Sequence, residues 1–157
     1  MNSTQAAALR HLLNAQPIAS LGTLRDGDPW VSMVPFTLLH EPLRFVIRVS
    51  GLAAHTGNML EAPRVSLMVM APETRDVSPQ ALARVTIQGV AEQQTDAAPG
   101  FASARDAYLA RFRDTSETLD LHDFSFFIVR PTSIRFIGGF AQAFTLTPEQ
   151  LADAMRA

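Results

Sequence analysis

The amino-acid sequence predicts a mainly β fold, a small six-stranded antiparallel barrel with flanking helices. Six strand-like runs follow one another, most of them joined by short turn signals, and helical patterns occupy the two ends and two connections. The 157 residues are 47% apolar and 18% charged, which is the balance of one globular domain. No repeat, low-complexity segment or linker divides the sequence, so we expect a single domain over residues 1–157.

The N-terminal segment is predicted to form a helix that ends at a proline. Ser3 or Thr4 can cap it, and it runs to about Ala15, before Pro17. The segment lacks the basic start and apolar stretch of a signal peptide. We therefore expect a cytoplasmic protein.

The next three runs are predicted to be consecutive antiparallel strands. Residues 18–24 are followed by a hairpin signal, Arg-Asp-Gly-Asp at 25–28, and then by a strand over residues 30–39. Pro35 inside that strand predicts an edge position or a bulge, because proline cannot donate a ladder hydrogen bond. Residues 43–50 alternate at the period of a strand.

The second half of the chain is predicted to hold three further strands and three helices. Their predicted bounds are residues 53–61 for a short helix, 64–71 and 84–93 for two strands, 101–112 for a helix with an aromatic stripe, 124–137 for a last strand broken at Pro131, and a terminal helix that begins at Thr147.

Two absent residue types exclude several kinds of chemistry. Without cysteine there is no disulfide, thiolate metal site or cysteine nucleophile. Without lysine, all 13 basic residues are arginine, which excludes a Schiff base to pyridoxal phosphate and a Walker-type phosphate clamp. The net charge of −2 gives no general attraction to nucleic acid or anionic membranes, and no apolar run approaches the length of a membrane span.

The sequence predicts no metal site and identifies no catalytic residue. The four histidines lack the spacing of metal ligands. Neither a Gly-x-Ser-x-Gly nucleophile elbow nor a Gly-x-Gly-x-x-Gly dinucleotide motif is present.

Four segments, in this order, resemble the pyridoxamine 5'-phosphate oxidase-like, FMN-binding split-barrel superfamily, particularly its short branch related to heme-utilisation proteins. They are Ile-Ala-Ser-Leu-Gly-Thr-Leu at 18–24, Val-Ser-Met-Val-Pro-Phe at 31–36, Val-Ser-Gly-Leu-Ala-Ala-His-Thr-Gly-Asn-Met-Leu at 49–60 with Pro-Arg-Val-Ser-Leu at 63–67, and Arg-Phe-Ile-Gly-Gly-Phe-Ala at 135–141. The resemblance implies a Greek-key-like split barrel that works as a homodimer and holds flavin at the subunit interface.

The resemblance also implies which residues contact the flavin. They are Ser32, Met33 and Val34 beside the ring, Ser50, His55, Thr56 and Asn58 at the FMN phosphate, Arg84 and Gln88 on the fifth strand, and Phe140 reaching across the dimer to the partner's flavin. A strand end followed by a helix N-terminus agrees with the phosphate assignment, because its backbone N–H groups can bind an anion.

The residues taken alone are also compatible with purely structural roles. The strand–helix junction can be an ordinary one in which Ser50 is a cap, and Arg84 can form a surface ion pair. Gln88 can make a hydrogen bond at the barrel rim, and Phe140 can be a hydrophobic plug.

The sequence departs from the family pattern at two cationic positions. Gly57 and Gln142 stand where relatives commonly have arginine. His55 is then the only side chain of the phosphate segment that can carry positive charge, and a nearby phosphate would raise its pKa. The substrate signature of vitamin B6 oxidases has no counterpart, and no histidine follows His122, whereas heme-degrading relatives use one in a C-terminal extension.

The expected function is that of an FMN-binding protein, a flavin-dependent oxidoreductase acting on an unknown small molecule. In that case the flavin carries the redox chemistry and the protein orients it. The alternative is a non-catalytic flavin- or heme-binding protein. A third reading is a barrel that has lost its cofactor and serves as an interaction module.

Overall fold

The computed structural model describes residues 1–113, 123–139 and 142–156. The helices in this part of the chain are α1 (Ser3–Ala15), α2 (Ala54–Glu61), α3 (Phe101–Arg111) and α4 (Pro148–Arg156). The strands are β1 (Ile18–Arg25), β2 (Asp28–His40), β3 (Leu43–Ser50), β4 (Arg64–Met70), β5 (Arg84–Gln94), β6 (Phe124–Gly139) and β7 (Gln142–Leu146), and a 3₁₀ turn spans Pro79–Ala81.

Six strands form a closed circuit of antiparallel pairings. The order along the sheet is β3-β2-β1-β4-β5-β6-β7, and β3 also pairs with β6. The circuit therefore returns to its starting strand, which is the connectivity that the expected six-stranded barrel requires.

The β1–β2 hairpin turns where the sequence predicts it. Asp26 and Gly27 take φ angles of 53° and 85°, as a two-residue type I′ turn requires. Pro35 is the last β2 residue opposite β1, and from Phe36 onward β2 pairs with β3. The first half of β2 thus has β1 as its ladder partner and an edge on the other side, so the expected edge position of Pro35 is confirmed.

β6 continues through Pro131, where the sequence analysis predicts a break. The β5–β6 register shifts between Gln88 and Gly89, and Pro131 lies opposite Gly89. A Cβ on Gly89 would lie 2.6 Å from the Arg130 carbonyl oxygen, so only glycine permits this approach. The bulge accommodates the proline without ending the strand, which corrects the prediction.

β7 is a strand that the sequence analysis does not predict. It pairs with the second half of β6, from Ile134 opposite Leu146 to Gly139 opposite Gln142. The described fold therefore has seven strands, one more than predicted, and α4 follows β7 directly.

Alternate side chains of the strand circuit meet in one core. Its fully buried members include Leu21, Ile47, Leu67, Ile87 and Phe136, and the apolar faces of α1 and α4 pack against it. α3 packs against the other side of β3, where Val46, Ala104, Tyr108 and Phe126 form a second buried cluster.

In the described part of the chain, no helix combines the length and apolar character needed to cross a membrane.

Candidate functional site

Outward-pointing side chains of five neighbouring strands form a surface that we call the outer face. Residues directly opposite one another in antiparallel strands project to the same side, as do residues two apart on one strand. The outer face includes Ile18, Ser20 and Gly22 of β1, Val31 and Met33 of β2, Ser66, Met68 and Met70 of β4, Arg84, Thr86 and Gln88 of β5, and Ser133, Arg135 and Ile137 of β6.

One register row crosses the whole outer face. Met33 lies opposite Ser20, Ser20 opposite Met68, Met68 opposite Thr86, and Thr86 opposite Arg135. Because neighbouring strands are separated by about 4.8 Å, the two methionine backbones lie roughly 10 Å apart with a small serine between them. The row thus runs from an apolar half to a polar, cationic half.

The apolar half of the outer face is unusually exposed. The exposed fractions are 71% for Val31, 61% for Met33 and 44% for Met70. Soluble monomers seldom expose neighbouring large apolar side chains without a ligand or partner to cover them. Methionine is also an adaptable contact residue, because its side chain is unbranched and polarizable. The surface therefore has the character of a binding face.

Two arginines border the apolar half. Arg84 lies opposite Met70, and its guanidinium donates to the carbonyl oxygens of Gln80 and Leu82 at 3.3 and 3.0 Å. Arg135 donates to the Thr145 hydroxyl at 2.8 Å. The hydrogen bonds hold both cations at the edge of the apolar surface. An apolar ligand with acidic substituents would meet a complementary charge there.

A groove of about 540 Å³ opens at the end of the outer face where the small residues Gly22 and Ser66 lie. Its lining also includes Gln88, which the sequence analysis assigns to the flavin site. The groove falls within the size range of ligand-binding clefts.

The β3–α2 junction, expected to bind a phosphate, uses its side chains internally. The buried Thr56 hydroxyl donates to the Ser50 carbonyl oxygen at 2.6 Å. The buried Asn58 amide donates to the Thr23 hydroxyl at 2.9 Å. The Ser50 hydroxyl donates to the Asp123 carboxylate at 2.8 Å. Three of the four side chains that the resemblance places at the phosphate therefore already donate to groups of this chain.

The fourth residue, His55, lies half-buried near the start of α2. Burial lowers the pKa of its imidazole below the ordinary value of 6.5. This environment therefore disfavours the charged form of the imidazole.

The predicted ring-contacting residues divide between the two sides of β2. Met33 projects onto the outer face, whereas Val34 is buried in the core and Ser32, opposite Leu21, is half-buried. Phe140 lies outside the described residues. The proposed contacts of these residues with a cofactor stay a prediction.

The sequence analysis predicts Met33, Arg84 and Gln88, which lie on the outer face, but it misses Val31, Met68, Met70 and Arg135. Met68 and Met70 could be predicted, because residues 64–70 alternate along the strand. The alternation places these two side chains on one face of β4 and those of Val65 and Leu67 on the other face. Asp123 carries no local signal, because its partner Ser50 lies 73 residues away in the sequence.

The two regions differ in the cofactor chemistry that they fit. The outer face offers a broad apolar surface edged by arginines, which suits a flat apolar ring bearing carboxylates. The junction offers a phosphate few unengaged donors and no described cation in its own segment, and so it fits FMN poorly. Within the described ranges no group of three or more His, Asp or Glu side chains is arranged to hold a metal ion.

Comparison with known proteins adds family information. A family model described as pyridoxamine 5'-phosphate oxidase matches residues 6–138. Over 139 residues the chain is 32% identical to the chloroplastic non-canonical heme oxygenase HOZ of Arabidopsis thaliana. This alignment covers 87% of this chain but 41% of the plant protein. The chain is 29% identical over 129 residues to the heme oxygenase HutZ of Vibrio cholerae, covering 82% of this chain and 72% of that protein.

A solved structure agrees with these similarities. The heme binding protein from Mycobacterium smegmatis superposes with a TM-score of 0.84 and 32% sequence identity. The match covers 98% of this chain and 62% of the mycobacterial one. The chain thus spans less than two thirds of both the plant and the mycobacterial relatives.

Proposed function

The chain belongs to the pyridoxamine 5'-phosphate oxidase family, and from this premise we propose that it is a heme-binding protein that holds the porphyrin against its outer face. The observation that carries the proposal is the composition of that face. Exposed methionines and valine form its apolar half, and two arginines lie along its border.

Heme matches this surface in shape and charge. The macrocycle is flat and largely apolar, and its two propionates are anionic at neutral pH. Covering Met33 and Met68 would remove apolar area from water, which contributes about 25 cal/mol per Å². Arg84 and Arg135 are placed to pair with carboxylates at the edge of the ring.

The names of the relatives support heme over flavin. Two of them are named heme oxygenases and one is named a heme binding protein. The family itself is named for a phosphorylated vitamin B6 compound, and the sequence analysis expects FMN. The β3–α2 junction weakens that expectation, since the side chains expected to read the phosphate are engaged within the chain.

We further propose that the chain binds heme as a homodimer. A ligand lying on an open sheet face would leave its second side in water, and a second copy of the chain could cover it. The exposed outer-face residues that heme leaves uncovered would then pack in the interface.

Bound heme would supply iron-centred redox chemistry, and the chain would bind it, orient it and exclude water. The described side chains of this face that are able to ligate the iron are the methionines Met33, Met68 and Met70. No single one of them is assigned.

Titration of hemin into the purified chain, followed by its Soret absorbance, tests the proposal. Wild-type protein should show saturable binding with a defined stoichiometry. Met68→Glu places a carboxylate at the centre of the apolar half, and it should weaken hemin binding about tenfold or more, because an unpaired charge is costly to bury. Ala110→Glu, an exposed position on α3 away from the outer face, is the matched control and should bind as wild type does.

Two outcomes would contradict the proposal. One is the absence of a saturable Soret change in the wild-type chain. The other is an equal loss of affinity in Met68→Glu and Ala110→Glu, which would show that the effect does not depend on the outer face.

A further inference from the structure

We propose that Asp123 closes the β3–α2 junction to phosphate, and that it thereby makes the chain selective for ligands without a phosphate group. A strand that ends beside a helix N-terminus is normally an anion-binding arrangement. In this chain internal acceptors, among them the Asp123 carboxylate and several carbonyl groups, already receive hydrogen bonds from most of the donors at this junction.

Asp123 engages the junction through both its side chain and its backbone. Its carboxylate accepts a hydrogen bond from the Ser50 hydroxyl at 2.8 Å, and its carbonyl oxygen accepts one from the Gly51 N–H. A Cβ on Gly51 would lie 3.1 Å from that carbonyl oxygen, so glycine allows the two segments to approach closely. The contact ties the start of β6 to the end of β3.

Most backbone donors of the junction are also engaged. The Leu52 N–H donates to the Ser50 hydroxyl oxygen at 3.1 Å. The Ala53 and Thr56 N–H groups donate to the carbonyl oxygens of Ser50 and Ala53 at 3.1 and 3.0 Å. With Gly51, four of the six N–H groups of residues 51–56 already have acceptors in the chain. A phosphate would have to displace these acceptors in order to bind the four groups.

The charges of the junction act in the same direction. Asp123 brings a negative carboxylate to the place where a phosphate dianion would sit, and like charges at such distances repel. Gly57 provides no cation, and burial lowers the pKa of His55, which disfavours a charged imidazole there.

Arg48 is the cation that lies near this carboxylate. Its guanidinium is buried and stacks on the Phe124 ring, with 4.2 Å between the guanidinium carbon and the ring centroid. Desolvation lowers the pKa of Arg48, while Tyr108 and Asp123 act to raise it. Asp123 is therefore one of the groups that favour the charged form of Arg48.

This inference is independent of heme binding, because hemin carries carboxylates and no phosphate. The hemin titration reports on the outer face, whereas a phosphate titration reports on the junction. The heme proposal can therefore be contradicted while the phosphate proposal holds, and the reverse.

The test compares FMN with riboflavin by fluorescence quenching, and follows the backbone amide resonances of residues 51–56 during titration with inorganic phosphate. The variants are Asp123→Asn, which keeps the shape and removes the charge, Gly57→Arg, whose side chain would enter open space, and the double variant. Asp76→Asn, in the exposed loop before β5, is the control for the change in net charge.

In the wild-type chain we expect FMN and riboflavin to bind within about threefold of each other and phosphate to cause no saturable amide shift. In the double variant FMN should gain at least about tenfold over riboflavin, and the amides should respond to phosphate. Asp76→Asn should behave as wild type.

Three results would overturn the proposal. A saturable phosphate response at residues 51–56 of the wild-type chain would show that the junction is open. A response in Gly57→Arg as strong as in the double variant would show that Asp123 does not exclude phosphate. If Asp123→Asn fails to fold, Gly57→Arg alone decides, because a saturable phosphate response with the Asp123 contact intact would show the same. A folded double variant that ignores phosphate would also remove Asp123 as the determinant.

Discussion

At the scale of single residues, the polar side chains of α2 stabilise the fold around the β3–α2 junction. Asn58 and Thr23 are both buried, and they bond to each other at 2.9 Å. A buried polar group is costly when its partner is lost, because it then loses its hydrogen bond without regaining water. The residue types that a family resemblance assigns to a ligand can therefore have their partners inside the protein.

Asn58→Ala should lower the free energy of unfolding by about 1–3 kcal/mol, because the Thr23 hydroxyl is left buried without its donor. Urea unfolding of Asn58→Ala, Thr23→Val and the double variant measures the coupling between the two residues. Additive losses, or an unchanged stability accompanied by weaker cofactor binding, would contradict a structural role for Asn58.

His55 should titrate below pH 6.5 in the chain without a ligand, because burial disfavours its charged form. The unfolded chain then binds more protons than the folded chain as pH falls from about 6.5 toward the folded-state pKa. The stability should accordingly fall with decreasing pH across that window, and His55→Gln should reduce the fall. An NMR titration of the imidazole gives the pKa directly, and a value above 6.5 would contradict the expectation.

At the scale of secondary-structure elements, Arg111 links α3 to the C-terminal end of α1. Its guanidinium donates to the carbonyl oxygens of Asn14 and Gln16 at 3.0 and 2.6 Å, and it lies over the Phe36 ring at 4.9 Å. Carbonyl groups at a helix end lack partners within the helix, and a cation there also complements the helix dipole.

Replacement of Arg111 by methionine keeps much of the apolar packing and removes the donors. We expect a loss of about 2–3 kcal/mol in the free energy of unfolding, since hydrogen bonds to charged groups are worth more than neutral ones. Arg111→Lys keeps the charge without the planar fork and should recover part of the loss. Urea or thermal denaturation measures these free energies of unfolding. A decrease of less than about 0.5 kcal/mol for Arg111→Met would show that the contact contributes little to stability.

The elements that the sequence predicts well are those with a strong local pattern. β3 matches its predicted bounds of 43–50, and the β1–β2 turn forms at the Asp-Gly pair. The uninterrupted β6 was not predicted, because the room for Pro131 comes from Gly89 on the neighbouring strand. β7 was missed because a five-residue strand of this kind depends on pairing with β6 for its stability.

The residues of the candidate site were likewise predicted only where a local sequence motif contains them. Met33 was predicted as a cofactor-contacting residue from a short motif, and the structure places it on the outer face. The outer face as a whole could not be predicted, because it brings together strands that are distant in sequence and joins Met33 to Arg135 through three intervening strands. The contact between Ser50 and Asp123 is invisible in the sequence for the same reason.

At the scale of the whole molecule, the outer face should be covered by a second copy of the chain. Analytical ultracentrifugation at micromolar concentration should give a species of about twice the 17.1 kDa chain mass. Val31→Glu, at a position with 71% exposure, should shift the protein toward monomer without unfolding it. Ala110→Glu should remain dimeric, and a wild-type chain that sediments only as a monomer would remove the shared-site proposal.

The most direct test of the heme proposal is to map which amides respond to a bound porphyrin. Zinc protoporphyrin, a diamagnetic analogue of heme, can be titrated into isotope-labelled protein while backbone amide resonances are followed. We predict that the largest shifts fall on the outer-face strands, around Met33, Met68 and Arg135, and that residues 51–56 at the junction change little. Shifts concentrated at residues 51–56 with the outer face unaffected would contradict the account.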